Sequence, residues 1–419
     1  MEPAAPNVDL ALFIQSGIFS QMTAGIELNG CQCSPVPSCE FGDADIYTPP
    51  APWTGPEHCS TEYCVYSNPH ASHAGLSMIT TTHNVHVFED TYASNKRSDN
   101  TLAANSGLDI ELKPGIDYYE AEIPGKGIGL IANRTIYKGE IILQRGPALL
   151  IQSTPHVHVP PDRRLEMYDA AVDRLPKETR EHFLRQVGDT VLDKVQRNAF
   201  RVFVSGNGTD SAHLGVFPEV SKINHACRPN LHYRLNNTTH TTIAVRDILP
   251  GEELTLTYIY AKLPLAERLT RLRDWSFTCT CAQCTQPASA AAASDRRLRQ
   301  IGDLEREIDQ LMSRRPLPPH MAAQGMKQAD REIRPGLVAK LVELYEREEL
   351  WGSLAAPYAK AALVHAMFGL EEEARGYAEK AVGALLRETG ERAKDLPSMR
   401  RLVGDPRRHW AWRLKVGGG

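Results

Sequence analysis

Apolar and polar positions alternate over short runs through the first two thirds of the chain, then recur every three to four residues in the last third. The runs "YCVYS" (63–67), "GLSMITTT" (75–82) and "HNVHVF" (83–88) are rich in β-branched and aromatic residues, with turn formers between the first two. They predict a small antiparallel β element over residues 63–88. A second series, "YYEAEIPGKGIGLIANRTIYKGEIIL" (118–143), repeats the order strand, Gly-bearing turn, strand, which fits two similar hairpins in one sheet system. Apolar positions then take helical spacing from 161 to 199, within a helical insert placed at 151–199. Strand patterns return in "FRVFVS", "LHYRL", "TTIAVRDI" and "ELTLTYIY".

Pro-rich "SPVPS" and "TPPAPWTGP" break up residues 34–56, and polar "ASNKRSDNTLAANSG" (93–107) reads as a linker. A second linker is expected in "TQPASAAAASD" (285–295), with Asp295 placed to cap the helix that follows. Ile301, Leu304, Ile308 and Leu311 form one stripe of that helix, and "PLPPH" (316–320) ends it. Residues 358–386 space Ala, Gly and aromatic residues like a tetratricopeptide helix pair, with Gly369 at the tight turn.

A chain of 419 residues with 42% hydrophobic and 7% aromatic side chains is globular, and exceeds what one core usually supports. The net charge of −4 provides no global attraction for nucleic acid or a membrane surface, so neither partner is expected. Charge is unevenly spread, however. Residues 1–100 hold two basic side chains, Lys96 and Arg97, against eleven acidic ones, which sets an acidic N-terminal region (1–107) apart. No run of about eighteen apolar residues is present. Leu10 to Phe19 lacks a basic flank and makes a poor signal peptide, so the chain is read as unsecreted.

The nine cysteines fall into two groups. Cys31, Cys33, Cys39, Cys59 and Cys64 match no metal-finger spacing, and read as thiols or, in an oxidising compartment, disulfides. Cys279, Cys281 and Cys284 form C-x-C-x2-C, to which Cys227 can add a fourth thiolate from 52 residues upstream. Four thiolates make a closed structural zinc site with no open position for catalysis.

Three further signals lie in the same region. Gly127 and Gly129 of "GKGIGL" allow close backbone approach, although such a turn alone is commonly only a turn. Asn224-His225 adjoins Cys227 in "SKINHACRPNLHYR", and in "LPGEELTLTYIY" a Pro250-Gly251 turn precedes Glu252-Glu253, read as facing solvent, and a strand ending on Tyr258 and Tyr260.

Taken in order, "GKGIGL", "NHACRPN", "GEELTLTY" and "WSFTCTCAQC" make the chain resemble the SET-domain protein-lysine methyltransferases over about residues 108–287, most closely the SET-and-MYND branch. Some fungal SET-domain proteins are also similar in carrying a Cys-bearing β segment ahead of the domain. The resemblance implies an α+β fold of small β-sheets in a knot-like arrangement (108–277). A post-SET zinc segment (278–287) and a helical, tetratricopeptide-like domain (288–419) would follow it.

It also implies S-adenosylmethionine as cofactor, structural zinc on Cys227, Cys279, Cys281 and Cys284, and a lysine-bearing protein as substrate. Lys126, Gly127, Gly129, Asn198, Asn224, His225, Tyr258 and Phe277 would line the cofactor site, with Tyr258 as the catalytic residue. Two departures stand out. Ala226 replaces the usual Ser of the Asn-His motif, and no MYND finger is found, since residues 151–199 contain no cysteine. The alternatives are an inactive SET scaffold and a methyltransferase acting on another acceptor. A monomer is expected. A thiolate zinc site favours the cytoplasm or nucleus, whereas the N-terminal cysteines and the sequons "NRT", "NGT" and "NTT" would suit secretion.

Overall fold

A computed structural model describes residues 53–72, 74–98, 110–111, 113–154, 159–206, 208–236, 238–273, 275, 277–313 and 332–415. Cys31, Cys33, Cys39 and the "PLPPH" stretch lie outside them. Fourteen strands are present among the described residues. They are β1 (Thr54–Ser60), β2 (Tyr63–Asn68), β3 (Leu76–Thr80), β4 (Ile110–Glu111), β5 (Tyr118–Ile123), β6 (Gly127–Ala132), β7 (Ile141–Arg145), β8 (Leu149–Gln152), β9 (Ala199–Phe203), β10 (Ala212–Val216), β11 (Asn224–His225), β12 (Leu231–Asn236), β13 (Thr239–Ala244) and β14 (Glu253–Leu256).

They form three sheets, of order β1-β2-β3-β8-β10-β9, β11-β14-β6-β5 and β12-β13-β7-β4. The first sheet is apolar on both faces. Cys64, Tyr66, Met78 and Leu150 point into a core shared with the smaller sheets. Alternate residues Tyr63, Val65, Ile79, Leu149 and Ile151 point to the opposite face, against Met167, Tyr168, Val172, Phe183 and Val195. Those five belong to helices α2 (Pro161–Asp173), α3 (Lys177–Leu184) and α4 (Val191–Asn198) of the insert. The two-residue strand period therefore explains why β2, β3 and β8 read as unbroken apolar runs.

Three expectations are corrected here. The antiparallel β element ahead of residue 107 forms through β1, β2 and β3, but it continues into the later sheet, because β3 pairs in parallel with β8. "HNVHVF" is helical, within α1 (Thr82–Ser98). Its buried residues Asn84, Val85 and Phe88 share one helical face, and the Thr81 hydroxyl accepts the Asn84 amide at 3.4 Å. The two hairpins of the loose repeat lie in different sheets, one in the first and one (β5-β6) in the second. Cys59 and Cys64 form a disulfide across the β1-β2 turn.

Helix α5 (Leu265–Arg273) precedes the last three cysteines, and α6 (Ala282–Thr285) contains Cys284. The helical C-terminal region follows as α7 (Ala288–Ser313), α8 (Pro335–Arg347), α9 (Ala355–Met367), α10 (Glu371–Glu388) and α11 (Leu396–Gly404) around one core. "ASAAAASD" is the start of α7 and not a linker, as its alanine content favours. Asp295 accepts the Leu265 amide at 2.9 Å and so caps α5 instead of α7. Gly369, at φ +70°, makes the expected α9-α10 turn. No described helix is long and apolar enough to cross a membrane.

A buried charge group ties this region to the sheets. Glu348, its side chain 1% exposed, pairs with Arg228 at 2.7 Å and Arg297 at 2.6 Å, and accepts the Ser294 hydroxyl. Arg228 also donates to the carbonyls of Cys227 and Ala261. Glu348→Ala would strand two arginines, and is expected to cost about 3–5 kcal/mol, read as a lower urea midpoint. An unchanged midpoint would remove this group from the account of stability.

Candidate active site and metal centre

Strand pairing brings together three of the four sequence signals. β11, "NH", lies parallel to β14 with Asn224 opposite Thr255 and His225 opposite Leu256. β14 runs antiparallel to β6, with Glu253 opposite Ile131 and Leu254 opposite Leu130. β6 carries "GIGLIA" and closes on β5 through the Gly125-Lys126-Gly127 turn. Both glycines of that turn have positive φ, +75° and +76°, which a side chain would strain.

Gly129 is required for a different reason. A Cβ there would lie 2.7 Å from Asn224 Nδ2 and 2.9 Å from a Glu253 carboxylate oxygen. Asn224 Nδ2 donates to Ile128 O at 3.2 Å and to Glu253 Oε1 at 3.0 Å, and Lys126 Nζ reaches Glu253 Oε2 at 2.5 Å. Farther along the motif, Asn230 accepts the Thr255 amide at 2.9 Å and donates to Glu253 O at 2.8 Å, fastening it to β14.

His225, 3% exposed, points its ring away from that group. Nδ1 accepts the Tyr258 amide at 3.0 Å, and Nε2 lies 3.3 Å from Cys227 Sγ. Burial pushes its pKa down to about 4, so the ring is neutral near pH 7. With Nδ1 accepting, the proton sits on Nε2 and is donated to the sulfur. Tyr258 donates its hydroxyl to Ile223 O at 2.7 Å. Burial first, and the Glu253 charge second, push its pKa above the ordinary phenol value, so it remains a phenol. Its ring packs against Trp275 at 5.0 Å between centroids and edge-on to Phe277 at 6.4 Å, with Phe277 6.0 Å from His225.

The Sγ atoms of Cys227, Cys279, Cys281 and Cys284 all lie within 4.8 Å of one another. A tetrahedral zinc with bonds of about 2.3 Å needs sulfurs about 3.8 Å apart, so the donor set fits that metal. Cys227 and Cys279 are buried, and Cys281 and Cys284 half-buried. Arg268, fully buried, donates to the carbonyls of Leu263 and Gln283, the second of which is next to Cys284. Among the described residues it makes no ion pair with a carboxylate, and a tetrathiolate zinc, formally of charge −2, would answer its charge.

Asn198 ends α4, and its carboxamide donates to the carbonyls of Lys194 and Val187. Glu253 departs from expectation, since it turns inward with its side chain 16% exposed. Glu252 keeps the surface position, paired with Arg246. Strand alternation alone requires the two to point in opposite directions, and that signal was available in the sequence. Asn230 and Trp275 stand at the ends of the quoted motifs "NHACRPN" and "WSFTCTCAQC" without a role of their own there, and Arg268 carries no sequence mark.

Residues 127–259 match the model of the SET domain. N-lysine methyltransferase SMYD2-B of Danio rerio is 28% identical over 197 residues, 45% of this chain and 45% of that protein. N-lysine methyltransferase SMYD2 of Homo sapiens is 43% identical over 77 residues, 18% of each chain. N-lysine methyltransferase SMYD2-A of Danio rerio is 32% identical over 126 residues, 29% of this chain and 28% of that one. The matched segments thus span less than half the length of these relatives.

Proposed function

We propose that this chain, a SET-domain protein related to the SMYD branch, is an S-adenosylmethionine-dependent protein-lysine methyltransferase with a structural zinc. The observation that carries the reading is the pairing of Asn224-His225 with β14 beside the Gly127–Gly129 strand. It brings Lys126, Gly127, Gly129, Asn224 and His225 onto neighbouring strands, with Tyr258 and Phe277 packed beside His225, which supports the reading. The fit to the cofactor rests on chemistry present in the chain: open space at Gly127, with Gly129 letting Asn224 and Glu253 pack onto the strand, a cation and an amide on Glu253, and a wall of Tyr258, Trp275 and Phe277.

When bound, the cofactor supplies a methyl group on a positive sulfonium. The work of the chain is positioning, because methyl carbon, sulfur and attacking nitrogen must lie nearly in line. Lys126 and Asn224 would hold the methionine end, and Phe277 the adenine side. His225 acts through its ring by holding the Tyr258 amide, leaving its backbone for the cofactor. Tyr258, fixed by Ile223 O, keeps oxygen lone pairs for weak C–H···O contacts with a polarised methyl. An acceptor lysine, of ordinary pKa near ~10.4, must lose its proton, which apolar aromatic walls and a nearby positive charge favour. Asn198 is assigned to the cofactor by resemblance alone.

The finer architecture is part of the same proposal: a knot-like SET core over 108–277 with the 151–199 insert, a post-SET zinc segment at 278–287, and a tetratricopeptide-like domain from 288 to 419, after an acidic region at 1–107. Tritium-labelled cofactor incubated with the purified protein and a proteome extract is expected to label polypeptides on lysine. Cofactor binding with no label on any polypeptide would reject a protein acceptor, and absence of binding would leave a SET scaffold.

A further inference from the structure

We propose that Glu253 recognises the α-ammonium of the cofactor's methionine end while Lys126 takes the α-carboxylate, which makes the pair a receptor for an α-amino acid zwitterion. This rests on the methyltransferase reading and adds a ligand-discriminating residue to it. Lys126 and Glu253 come from positions 127 residues apart and meet at 2.5 Å, with side chains 17% and 16% exposed. Glu253 Oε1 accepts Asn224 and Oε2 accepts Lys126. A carboxylate has about four lone-pair sites and a lysine ammonium three donors, so both groups keep capacity for a second partner of opposite charge.

The strand beneath is shaped for this carboxylate. Gly129 is the residue whose Cβ would collide with Glu253 Oε1 and Asn224 Nδ2, whereas a Cβ at Gly127 would meet nothing within 4 Å. Space is therefore closed under the charge pair and open beside it. A lysine-glutamate pair near the surface is worth only about 0–1 kcal/mol as a stabilising contact, which is a weak reason to build a strand around it. Neighbouring Glu252, engaged with Arg246 at the surface, shows an ordinary pair of that kind.

The test uses the full chain and two ligands, titrated calorimetrically at one salt concentration: S-adenosylhomocysteine, and its analogue lacking only the α-amino group. The wild type is expected to prefer the first by about tenfold or more, the scale of a hydrogen bond between charged groups. Glu253→Gln should bind the two within about threefold of each other. Lys126→Met, in which both ligands still present their carboxylate, should weaken both and retain the preference. If Glu253→Gln keeps the wild-type preference, or if the wild type has none, the inference is overturned. A Glu253→Gln chain that does not fold shifts the decision to Lys126→Met, where loss of the preference overturns it and retention supports it. Wild-type protein that binds neither ligand overturns the methyltransferase reading, and the inference with it.

Discussion

Cys281→Ser is expected to remove bound zinc, close to one ion per chain by metal analysis of the wild type, and to abolish cofactor binding as well. A structural zinc contributes on the order of 10–16 kcal/mol to the folding of the segment that it closes, comparable to a typical domain's whole stability. Here the segment is short and has few other supports. Cys227, Ile259, Leu272 and Cys279 form a separate small core, with Trp275 and Phe277 packed on it. Without the metal, four clustered thiols and the buried Arg268 would remain with no compensating charge between them. The segment that carries Trp275 and Phe277 would then leave Tyr258 and His225. The sheets to the other side, with their own cores, should persist. The expected signature is loss of zinc and of S-adenosylhomocysteine binding with most of the far-ultraviolet circular dichroism retained. A metal-free protein with unchanged stability and cofactor affinity would defeat the zinc assignment.

Tyr258→Phe is expected to lower methyl transfer by on the order of 10²-fold, the usual loss when one oriented polar group is taken from a transition state. Cofactor binding should stay within about threefold of the wild type, since the ring and its packing against Trp275 and Phe277 are kept. Part of the effect would be structural, because Ile223 O loses its donor and an unsatisfied buried carbonyl costs about 1–3 kcal/mol. Single-turnover rates with saturating cofactor separate the two contributions, and thermal melting measures the second. Transfer at the wild-type rate would remove Tyr258 from the chemistry.

Much of the site was legible because its residues are grouped along the chain. "NHACRPN" places the two residues of β11 two and three positions before a cysteine, and C-x-C-x2-C is compact enough to predict a metal centre without knowing the fold. The helical insert and the C-terminal helices were legible from periodicity over long segments. Short runs were less reliable. "HNVHVF" alternates like a strand, yet its buried residues are those that share a helix face, and six residues cannot separate the two periods. Asp295 is a cap, but of α5 and not of the helix that follows it in sequence, since side-chain caps act through space and α5 starts beside it.

Local pattern and motif order therefore determined by themselves that this chain carries strands, a helical insert, a helical C-terminal region, a four-cysteine cluster and the signals of a SET domain. Only the tertiary structure decided that β11 lies parallel to β14, that Glu253 turns inward onto Lys126, and that the His225 ring spans from Tyr258 N to Cys227 Sγ. The reason is physical. Periodicity and spacing record what neighbours along the chain require, whereas a parallel pairing, an ion pair across 127 residues or a ring between two sites depends on where distant segments meet once the apolar faces are buried.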